Sequence, residues 1–166
     1  VSNGFYQAWL DQQMIYSCAY FHSGKESLDE AQVGKLDLIC RKLRLAPGQR
    51  LLDVGCGWGG LVIHAARHFG VKAVGITLSD GQYQLARQRV AEAGLGDQVA
   101  IRLQDYREVD DGPFDRISSV GMFEHVGLKN LPAYFQTLNR LLAVDGLLMN
   151  HGITSSDPDS RSVGLG

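Results

Sequence analysis

The stretch Leu51-Leu52-Asp53-Val54-Gly55-Cys56-Gly57-Trp58-Gly59-Gly60 decides the fold of this 166-residue chain. An apolar run and an acid are followed by four glycines in six positions. This order is typical of a parallel strand that passes into a helix beneath a nucleotide. Glycine has no Cβ that would keep a ligand away from the backbone, and it readily adopts positive φ. The stretch therefore predicts the ligand-binding turn of an α/β sheet.

The glycine spacing narrows the choice of ligand. The pattern Gly55-x-Gly57-x-Gly59 is tighter than the G-x-G-x-x-G fingerprint of dinucleotide-binding folds. With Asp53 two residues before the first glycine, it is typical of the S-adenosylmethionine (SAM) loop of a Rossmann-like methyltransferase. We therefore predict an α/β fold with a mostly parallel sheet and helices on both faces. An ordinary glycine-rich turn between a strand and a helix is the alternative.

Composition indicates one domain without a nucleic-acid partner. With 45% hydrophobic residues in a chain of 166, there is enough apolar material to bury a core. The net charge of −2 gives no electrostatic reason to expect nucleic acid. We find no apolar run of about 18 residues and no signal peptide, which predicts a soluble, cytoplasmic protein without a transmembrane segment.

The cysteines and histidines do not predict a metal site. Cys18, Cys40 and Cys56 lie far apart and lack metal-ligand spacing, so we expect free thiols in a reducing compartment. His64 and His68 are one helical turn apart with no third ligand nearby, which predicts the surface of a helix.

Helix-like and strand-like segments alternate along the chain, as in a parallel sheet with crossover helices. The predicted helices cover residues 4–14, 29–43, 59–69, 80–93 and 131–142. The predicted strands cover residues 50–54, 72–76, 99–103, 114–120 and 146–151. Ser79 is expected to cap the helix over residues 80–93.

One domain is predicted over residues 1–166. Residues 1–45 form a helical cap, residues 46–154 the Rossmann-like core, and residues 155–166 a loop or an incomplete C-terminal end. Because SAM methyltransferase folds usually add a sixth strand and an antiparallel seventh, the fold is expected to be truncated after its fifth strand. The chain does not start with methionine and its polar end completes no element, so we expect part of a longer polypeptide.

Ligands of a doubly wound sheet collect at the carboxyl ends of its strands. There, Gly55 and Gly57 allow close approach to the backbone, Thr77 and Gln82 offer hydrogen bonds to a ribose, and Tyr106 offers a surface for adenine. Many methyltransferases bind the ribose hydroxyls with an acid just after the second strand. This chain has no carboxylate there, so Gln82 is the expected neutral substitute. Helix capping is the alternative for Thr77, and a solvent-exposed position is the alternative for Gln82.

Four segments together resemble the cyclopropane-fatty-acyl-phospholipid synthases and the related mycolic acid cyclopropane synthases. They are Tyr16-Ser17-Cys18-Ala19-Tyr20-Phe21, Leu52-Asp53-Val54-Gly55-Cys56-Gly57-Trp58-Gly59, Gly75-Ile76-Thr77-Leu78-Ser79 and Gly121-Met122-Phe123-Glu124-His125-Val126-Gly127. The glycine loop is shared by many methyltransferases, whereas the first and last segments are much more specific. All four occur in family order, and the similarity covers the chain from Phe5 to Ile153.

The resemblance implies transfer of a methylene unit from SAM to the cis double bond of an unsaturated phospholipid acyl chain. The alkene attacks the sulfonium methyl, and the resulting carbocation is deprotonated by a bound bicarbonate ion before the ring closes. By motif position, the implied bicarbonate ligands and catalytic residues are Cys18, Glu124, His151 and, through its backbone, Ile153. The family's tyrosine ligand lies beyond this sequence, so we expect the fragment to bind the cofactor and not to be active alone.

The resemblance also completes the predicted cofactor site, because it adds Tyr16, Ser17 and Arg107 to the residues chosen from their chemistry. The predicted SAM-binding residues are Tyr16, Ser17, Asp53, Gly55, Gly57, Gly59, Thr77, Gln82, Tyr106 and Arg107. No metal is expected. A carbocation beside a side-chain nucleophile would alkylate the enzyme permanently. A small anion such as bicarbonate balances the positive charge without that outcome, which explains why such a reaction avoids a side-chain nucleophile.

The implied partner is an unsaturated phospholipid acyl chain at a membrane surface. The aromatic segments Phe5-Tyr6-Gln7-Ala8-Trp9-Leu10 and Tyr20-Phe21 are suited to line an acyl tunnel or to rest at the interface. We therefore expect a cytoplasmic protein that is peripherally associated with the inner membrane surface. The sequence does not fix the oligomeric state, and a homodimer is compatible with it.

Two other functions stay open. Some plant alkaloid N-methyltransferases share this core, including a cysteine near its start, so a SAM-dependent small-molecule N- or C-methyltransferase is one alternative. A SAM-binding domain without catalysis is the other.

Overall fold

A computed structural model describes residues 2–154 of the chain. Five strands form one sheet in which every pair of neighbours is parallel. The strands are β1 (Arg50–Val54), β2 (Lys72–Thr77), β3 (Val99–Leu103), β4 (Phe114–Val120) and β5 (Leu142–His151). Their spatial order is β3-β2-β1-β4-β5. This is the predicted α/β architecture.

Helices connect the strands and precede the sheet. They are α1 (Asn3–Gln7), α2 (Leu28–Lys42), α3 (Gly60–Phe69), α4 (Asp80–Glu92) and α5 (Leu131–Leu141). Three single-turn 3₁₀ helices, which the sequence did not predict, lie at Tyr106–Glu108, Phe123–His125 and Leu128–Asn130. Ser79 caps α4 as predicted, since its side chain accepts a hydrogen bond from the Gln82 amide.

Both faces of the sheet are covered, because successive strand residues point to opposite sides. In β1, Leu51 packs into an apolar cluster with α2 and α3, whereas its neighbours Leu52 and Val54 pack into a second cluster with α5. Buried aromatic residues anchor the second cluster: Phe114 and Tyr134 are both fully enclosed. The chain therefore builds two cores, one on each side of the sheet.

The prediction of a helix over residues 4–14 is wrong beyond α1. The Asp11 side chain accepts hydrogen bonds from the amides of Gln13 and Ile15, at 2.8 Å each. Such local bonds offer the backbone an alternative to the helical ladder, and they turn the chain before the Tyr16-Ser17-Cys18 loop. The strand predicted over residues 146–151 begins at Leu142, because Leu142 pairs with Phe114 of β4. A register shift separates this pair from the next one, Arg116 with Leu147.

His64 is not on the surface of α3 as predicted. It is buried, and its Nε2 lies 2.8 Å from Oδ1 of Asp37 on α2. Burial lowers the pKa of His64, with the Asp37 hydrogen bond acting in the opposite direction. The pair therefore joins two helices and belongs to the packing of the domain.

The order of the strands places the site. The chain leaves β1 toward β2 on one side and leaves β4 toward β5 on the other, so β1 and β4 flank the switch in direction. Ligands of open α/β sheets bind at the carboxyl ends of strands at such a point. The predicted boundaries of the helical cap and the core stay predictions, and residues 155–166 lie outside the described residues. Within residues 2–154 no helix has the length and apolar character needed to cross a bilayer.

Candidate active site

Two neighbouring cavities open at the carboxyl edge of the sheet. The larger has a volume of about 450 Å³ and the smaller about 380 Å³. Gly55 and His125 line both of them. A ligand that passes Gly55 can therefore occupy both cavities at once.

The predicted site residues divide between the two cavities. Those in the larger one are Tyr16, Ser17, Cys18, Asp53, Gly55, Gly57, Gln82, Glu124, His151 and Ile153. Those in the smaller one are Gly55, Thr77, Tyr106 and Arg107. Gly59 lines neither cavity. A Cβ at this position would lie 3.4 Å from the Cβ of Ala86 on α4. Its place in the loop is explained by packing against that helix.

Two glycines keep the turn after β1 open to a ligand. Gly55 has φ 84° and Gly57 has φ 55°, which are conformations that favour glycine. A Cβ on Gly55 would lie 3.0 Å from the Cβ of Met122, whereas a Cβ on Gly57 would meet no protein atom within 4 Å. The amides of Gly55 and Cys56 both donate to the carbonyl oxygen of Ile76, so they serve the turn. Gly57 is therefore the glycine whose missing side chain leaves room in the larger cavity.

Asp53, the next-to-last residue of β1, is a buried acid beside the larger cavity. Its Oδ1 accepts a hydrogen bond of 2.7 Å from the hydroxyl of Ser118 on β4. Burial raises the pKa of Asp53 to about 6, although the Ser118 bond acts to lower it. A carboxyl group kept in such a place costs folding free energy, which indicates a use other than packing.

Thr77 and Gln82 connect the two cavities. The Thr77 hydroxyl donates to Oε1 of Gln82 at 2.7 Å, and it also accepts from the amide of Ser79 at 3.2 Å. The bond to Thr77 fixes the Gln82 amide oxygen and leaves its NH₂ group for a ligand. Thr77 therefore supports the start of α4 through the Ser79 amide and lines the smaller cavity, while its role in ribose binding stays a prediction.

The smaller cavity has an aromatic and a charged wall. Tyr106 packs edge-on against Tyr134, with ring centroids 5.4 Å apart. Arg107 forms two hydrogen bonds to Asp105, from Nε at 2.9 Å and from Nη2 at 2.6 Å. These bonds lower the pKa of Asp105. An adenine stacked on Tyr106 would thus meet an ion pair at the cavity rim.

The loop Tyr16-Ser17-Cys18 enters the larger cavity from the N-terminal side. Tyr16 and Cys18 are exposed, whereas Ser17 is half-buried and is held by residues of α2. Gln32 donates to the carbonyl oxygen of Ser17 at 3.0 Å, and Lys35 donates to its hydroxyl at 2.7 Å. The loop is therefore fixed at its middle residue.

Glu124 and His151 face the same cavity from the ends of β4 and β5. Oε1 of Glu124 accepts a hydrogen bond of 2.6 Å from the backbone amide of Ile153. The amide of Gly121 donates to the carbonyl oxygen of His151 at 3.0 Å, which ties the two strand ends together. The structure thus brings the four predicted catalytic residues to one cavity, and two of them contact each other.

Sequence reasoning missed three residues that build the site. Arg89 of α4 donates to the carbonyl oxygens of Gln13 and Trp58, which joins the N-terminal segment to the glycine loop. Asn3 accepts from Nε1 of Trp58 at 2.9 Å. Lys35 lines the larger cavity. The sequence carries one sign of Lys35's role: it is a lysine next to Leu36, on the apolar side of the helix α2.

The site fits SAM by its shape and its polar groups. Gly57 leaves space against the backbone, the hydrogen-bonding groups of Thr77 and Gln82 stand at the junction of the cavities, and Tyr106 offers an aromatic face. These features suit a ligand with a charged amino-acid end, a ribose and a purine. Across residues 2–154 no three histidine, cysteine or acidic side chains are grouped to hold a metal ion.

Sequence comparison relates the chain to lipid-modifying enzymes. The family model described as mycolic acid cyclopropane synthetase matches residues 1–165. A probable fatty acid methyltransferase of Pseudomonas putida is 56% identical over 167 residues, which cover 100% of this chain and 42% of that protein. The cyclopropane-fatty-acyl-phospholipid synthase of Escherichia coli K12 is 46% identical over 159 residues, or 96% of this chain and 40% of that protein.

Solved structures share the fold. A mycolic acid cyclopropane synthase complexed with SAH and CTAB superposes with a TM-score of 0.86 at 41% identity, covering 90% of this chain and 52% of that one. Coclaurine N-methyltransferase bound to N-methylheliamine and SAH superposes with a TM-score of 0.84 at 28% identity, covering 90% and 44%. The chain spans about two fifths of the length of the curated relatives described above.

Proposed function

Because this chain belongs to the mycolic acid cyclopropane synthetase family, whose members are SAM-dependent methyltransferases, we propose that the whole protein modifies lipid acyl chains. The proposed reaction transfers a methylene unit from SAM to the cis double bond of an unsaturated phospholipid acyl chain. The observation that carries the proposal is the meeting of Cys18, Glu124, His151 and Ile153 at one cavity, directly beside the cavity lined by Tyr106.

SAM supplies an electrophilic methyl group on a sulfonium ion. In the proposed complex, Tyr106 and Arg107 bind the adenine end, and Thr77 with Gln82 binds the ribose. Gly57 admits the amino-acid end toward the larger cavity. SAM bound in this way would present its methyl group to the larger cavity, which Glu124 and His151 also line.

We propose that the four catalytic residues hold bicarbonate, which supplies a base for the proton lost during ring closure. The amides of Cys18 and Ile153 are donors suited to an anion, and His151 adds a third. Glu124 accepts from an O–H group, and in this structure it accepts from the Ile153 amide. Binding of the anion therefore exchanges or shares the Ile153 donor.

Exposed aromatic residues suit an apolar substrate. The rings of Phe5, Tyr6, Trp9 and Tyr16 contact one another with centroids about 5.5–6.2 Å apart, and Tyr16 reaches the larger cavity. Roughly half of the Phe5 and Trp9 surface is exposed. We propose that this aromatic cluster guides the acyl chain, with the enzyme in the cytoplasm and bound peripherally to the inner membrane surface.

A small-molecule N- or C-methyltransferase is the second candidate. It is favoured by the close superposition of coclaurine N-methyltransferase over 90% of the chain. Cyclopropanation of a lipid removes an alkene and adds the mass of one methylene group. Methylation of an amine adds the same mass and leaves lipids unchanged, so product analysis separates the two.

The test is mass spectrometry of phospholipid acyl chains from cells that express the whole protein. The variant is Glu124→Gln, and the matched control is Glu92→Gln, an exposed acid at the end of α4. We expect a mass gain that resists hydrogenation in wild type and control and is lost in the variant. A product with the same mass gain that takes up two hydrogen atoms on mild hydrogenation still carries a double bond, which indicates a methyl branch instead of a ring. SAM binding without any lipid product overturns the lipid proposal, and without any product at all it supports a non-catalytic domain.

A further inference from the structure

One face of α2 carries polar residues that bind the N-terminal segment, and two of them, Gln32 and Lys35, are buried. Asp29, Gln32 and Lys35 are three residues apart, so they share a side of the helix. Oδ1 of Asp29 accepts from the amide of Gln12 at 2.7 Å, and Gln32 donates to the carbonyl oxygens of Ile15 and Ser17. This face of α2 therefore holds the segment that leads into the larger cavity.

Lys35 is the most unusual of these residues. The residue is buried, with 7% of its surface exposed. The ammonium donates to the carbonyl oxygen of Ser17 at 3.1 Å and to its hydroxyl at 2.7 Å. Among residues 2–154 it forms no ion pair within 4.0 Å. Lysine is almost never fully buried unless its charge is paired, so this position calls for a negative partner.

The cavity provides the place for that partner. Lys35 lines the larger cavity together with Ser17 and Cys18. The ammonium carries three hydrogens, and Ser17 accepts two of them. Of the lysines and arginines described, Lys35 is the one that lines this cavity. A ligand that brings a carboxylate-type anion here meets a desolvated positive charge, where an ionic hydrogen bond is strongest.

We propose that Lys35 is a positioning residue that holds Ser17, and through it Cys18, against the larger cavity and supplies the charge that retains a carboxylate-type anion there. The proposal rests on the proposed function, because that function brings two such anions to the cavity. One is bicarbonate, and the other is the carboxylate at the amino-acid end of the cofactor. Their recognition chemistry is the same, so experiment must tell them apart.

Other titratable groups face Lys35 or share its cavity. They are Asp11 and Cys18 from the N-terminal segment, Tyr16 from the same loop, Asp53 from β1, Glu124 and His125 from the turn after β4, and His151 from β5. Burial lowers the pKa of Lys35 to about 8, while the charges of Asp11 and Cys18 act to raise it. The lysine is thus protonated at neutral pH, and an anion beside it would keep it protonated to higher pH.

The test uses the whole protein and calorimetric binding, which needs no lipid turnover. SAH is titrated first, and bicarbonate is then titrated into the SAH complex. The variants are Lys35→Met, which keeps the length and loses the charge, and Lys35→Arg, which keeps a charge. Lys72→Met is the matched control for removing a lysine. Lys72 is exposed at the amino end of β2, whereas the cavities lie at the carboxyl ends of the strands. Melting temperature is measured for each.

We expect Lys35→Met to weaken at least one of the two anions by about tenfold or more, with partial recovery in Lys35→Arg. Weaker SAH binding assigns the charge to the cofactor carboxylate, and weaker bicarbonate binding assigns it to the smaller anion. If Lys35→Met does not fold, Lys35→Ala is assayed with added ethylammonium, which must restore anion binding while ethanol must not. The proposal is overturned if folded Lys35→Met binds both anions as tightly as wild type does. It is also overturned if ethylammonium does not restore anion binding in folded Lys35→Ala. Failure of the lipid assay alone overturns only the proposed function.

Discussion

Oε1 of Glu124 accepts a hydrogen bond of 2.6 Å from the backbone amide of Ile153. The bond joins the turn after β4 to the segment after β5, on the two sides of the larger cavity. A glutamine at this position keeps an oxygen that accepts from Ile153, whereas an alanine keeps nothing. The pair Glu124→Gln and Glu124→Ala therefore separates the charge of this residue from its structural bond.

In the whole protein, we predict that Glu124→Gln lowers kcat by about a hundredfold or more and leaves SAH affinity within about threefold of wild type. The reason is that Glu124 acts on the reacting side of the cavity, away from the residues assigned to adenine and ribose. Glu124→Ala is expected to lose the same activity and also about 1 kcal/mol of stability through the bond to Ile153. Steady-state kinetics and calorimetry measure both effects. Equal kcat in wild type and Glu124→Gln contradicts a role for the carboxylate.

Asp53 makes the protein less stable than it need be. Its folded-state pKa of about 6 lies above its ordinary value of 3.8, so the folded state binds the proton more tightly than the unfolded state. The contribution of protonated Asp53 to the free energy of unfolding is therefore fully present below about pH 4 and is lost as the pH rises through about 6. We predict that Asp53→Asn gains at most about 3 kcal/mol over wild type at pH 7. Asparagine still accepts the Ser118 hydrogen bond.

Urea unfolding of wild type and Asp53→Asn at pH 4, 5, 6 and 7 measures this difference. The gain must grow with pH across this range, because only the wild type gains a buried charge. A difference that is the same at all four pH values means that Asp53 is ionised without penalty. If the acid serves the cofactor, the more stable variant also binds SAH more weakly, which is the trade-off expected at a functional site.

Lys35 gives the opposite dependence on pH. Its folded-state pKa of about 8 lies below its ordinary value of 10.5, so between these values the unfolded state binds more protons and wild-type stability rises with pH. We predict that the stability of Lys35→Met relative to wild type falls by at most about 3 kcal/mol between pH 7 and pH 10. Thermal unfolding with and without SAH or bicarbonate measures it. A bound anion is expected to shift this change to higher pH, and a relative stability that does not vary with pH is the contrary result.

Local sequence signals determined most of the fold. The strands at β1, β3 and β4 were predicted with their observed bounds, because short apolar runs there are bounded by glycine, proline or polar turns. Residues 8–14 were mispredicted, since an apolar spacing typical of a helix competes there with the side-chain bonds of Asp11. The three 3₁₀ turns depend on contacts at the end of the sheet and leave no periodic signal.

The site could be predicted where a motif carries it, and not where tertiary packing does. The glycine turn and the segment with Glu124 are contiguous in sequence. Other residues of the site act on partners that are distant in sequence, as Lys35 does on Ser17. Arg89 contacts Trp58, which is 31 residues away, and Asn3 contacts the same tryptophan from a distance of 55 residues. No pattern in a single amino-acid sequence predicts such pairs. Their detection required the three-dimensional arrangement of α2, α4 and the N-terminal segment.

Gly57 and Gly48 offer a matched test of the cofactor site. Both have positive φ, at 55° and 82°, and a Cβ at either would meet no protein atom within 4 Å. Alanine at each position is thus expected to cost about 1–2 kcal/mol of stability through backbone strain. Only Gly57 lines the larger cavity, so we predict that Gly57→Ala weakens SAH binding by about tenfold or more, whereas Gly48→Ala leaves it unchanged. Calorimetry with both variants decides the matter, because backbone strain is common to them. Similar SAH affinities in the two variants would mean that the cofactor does not approach the backbone at Gly57.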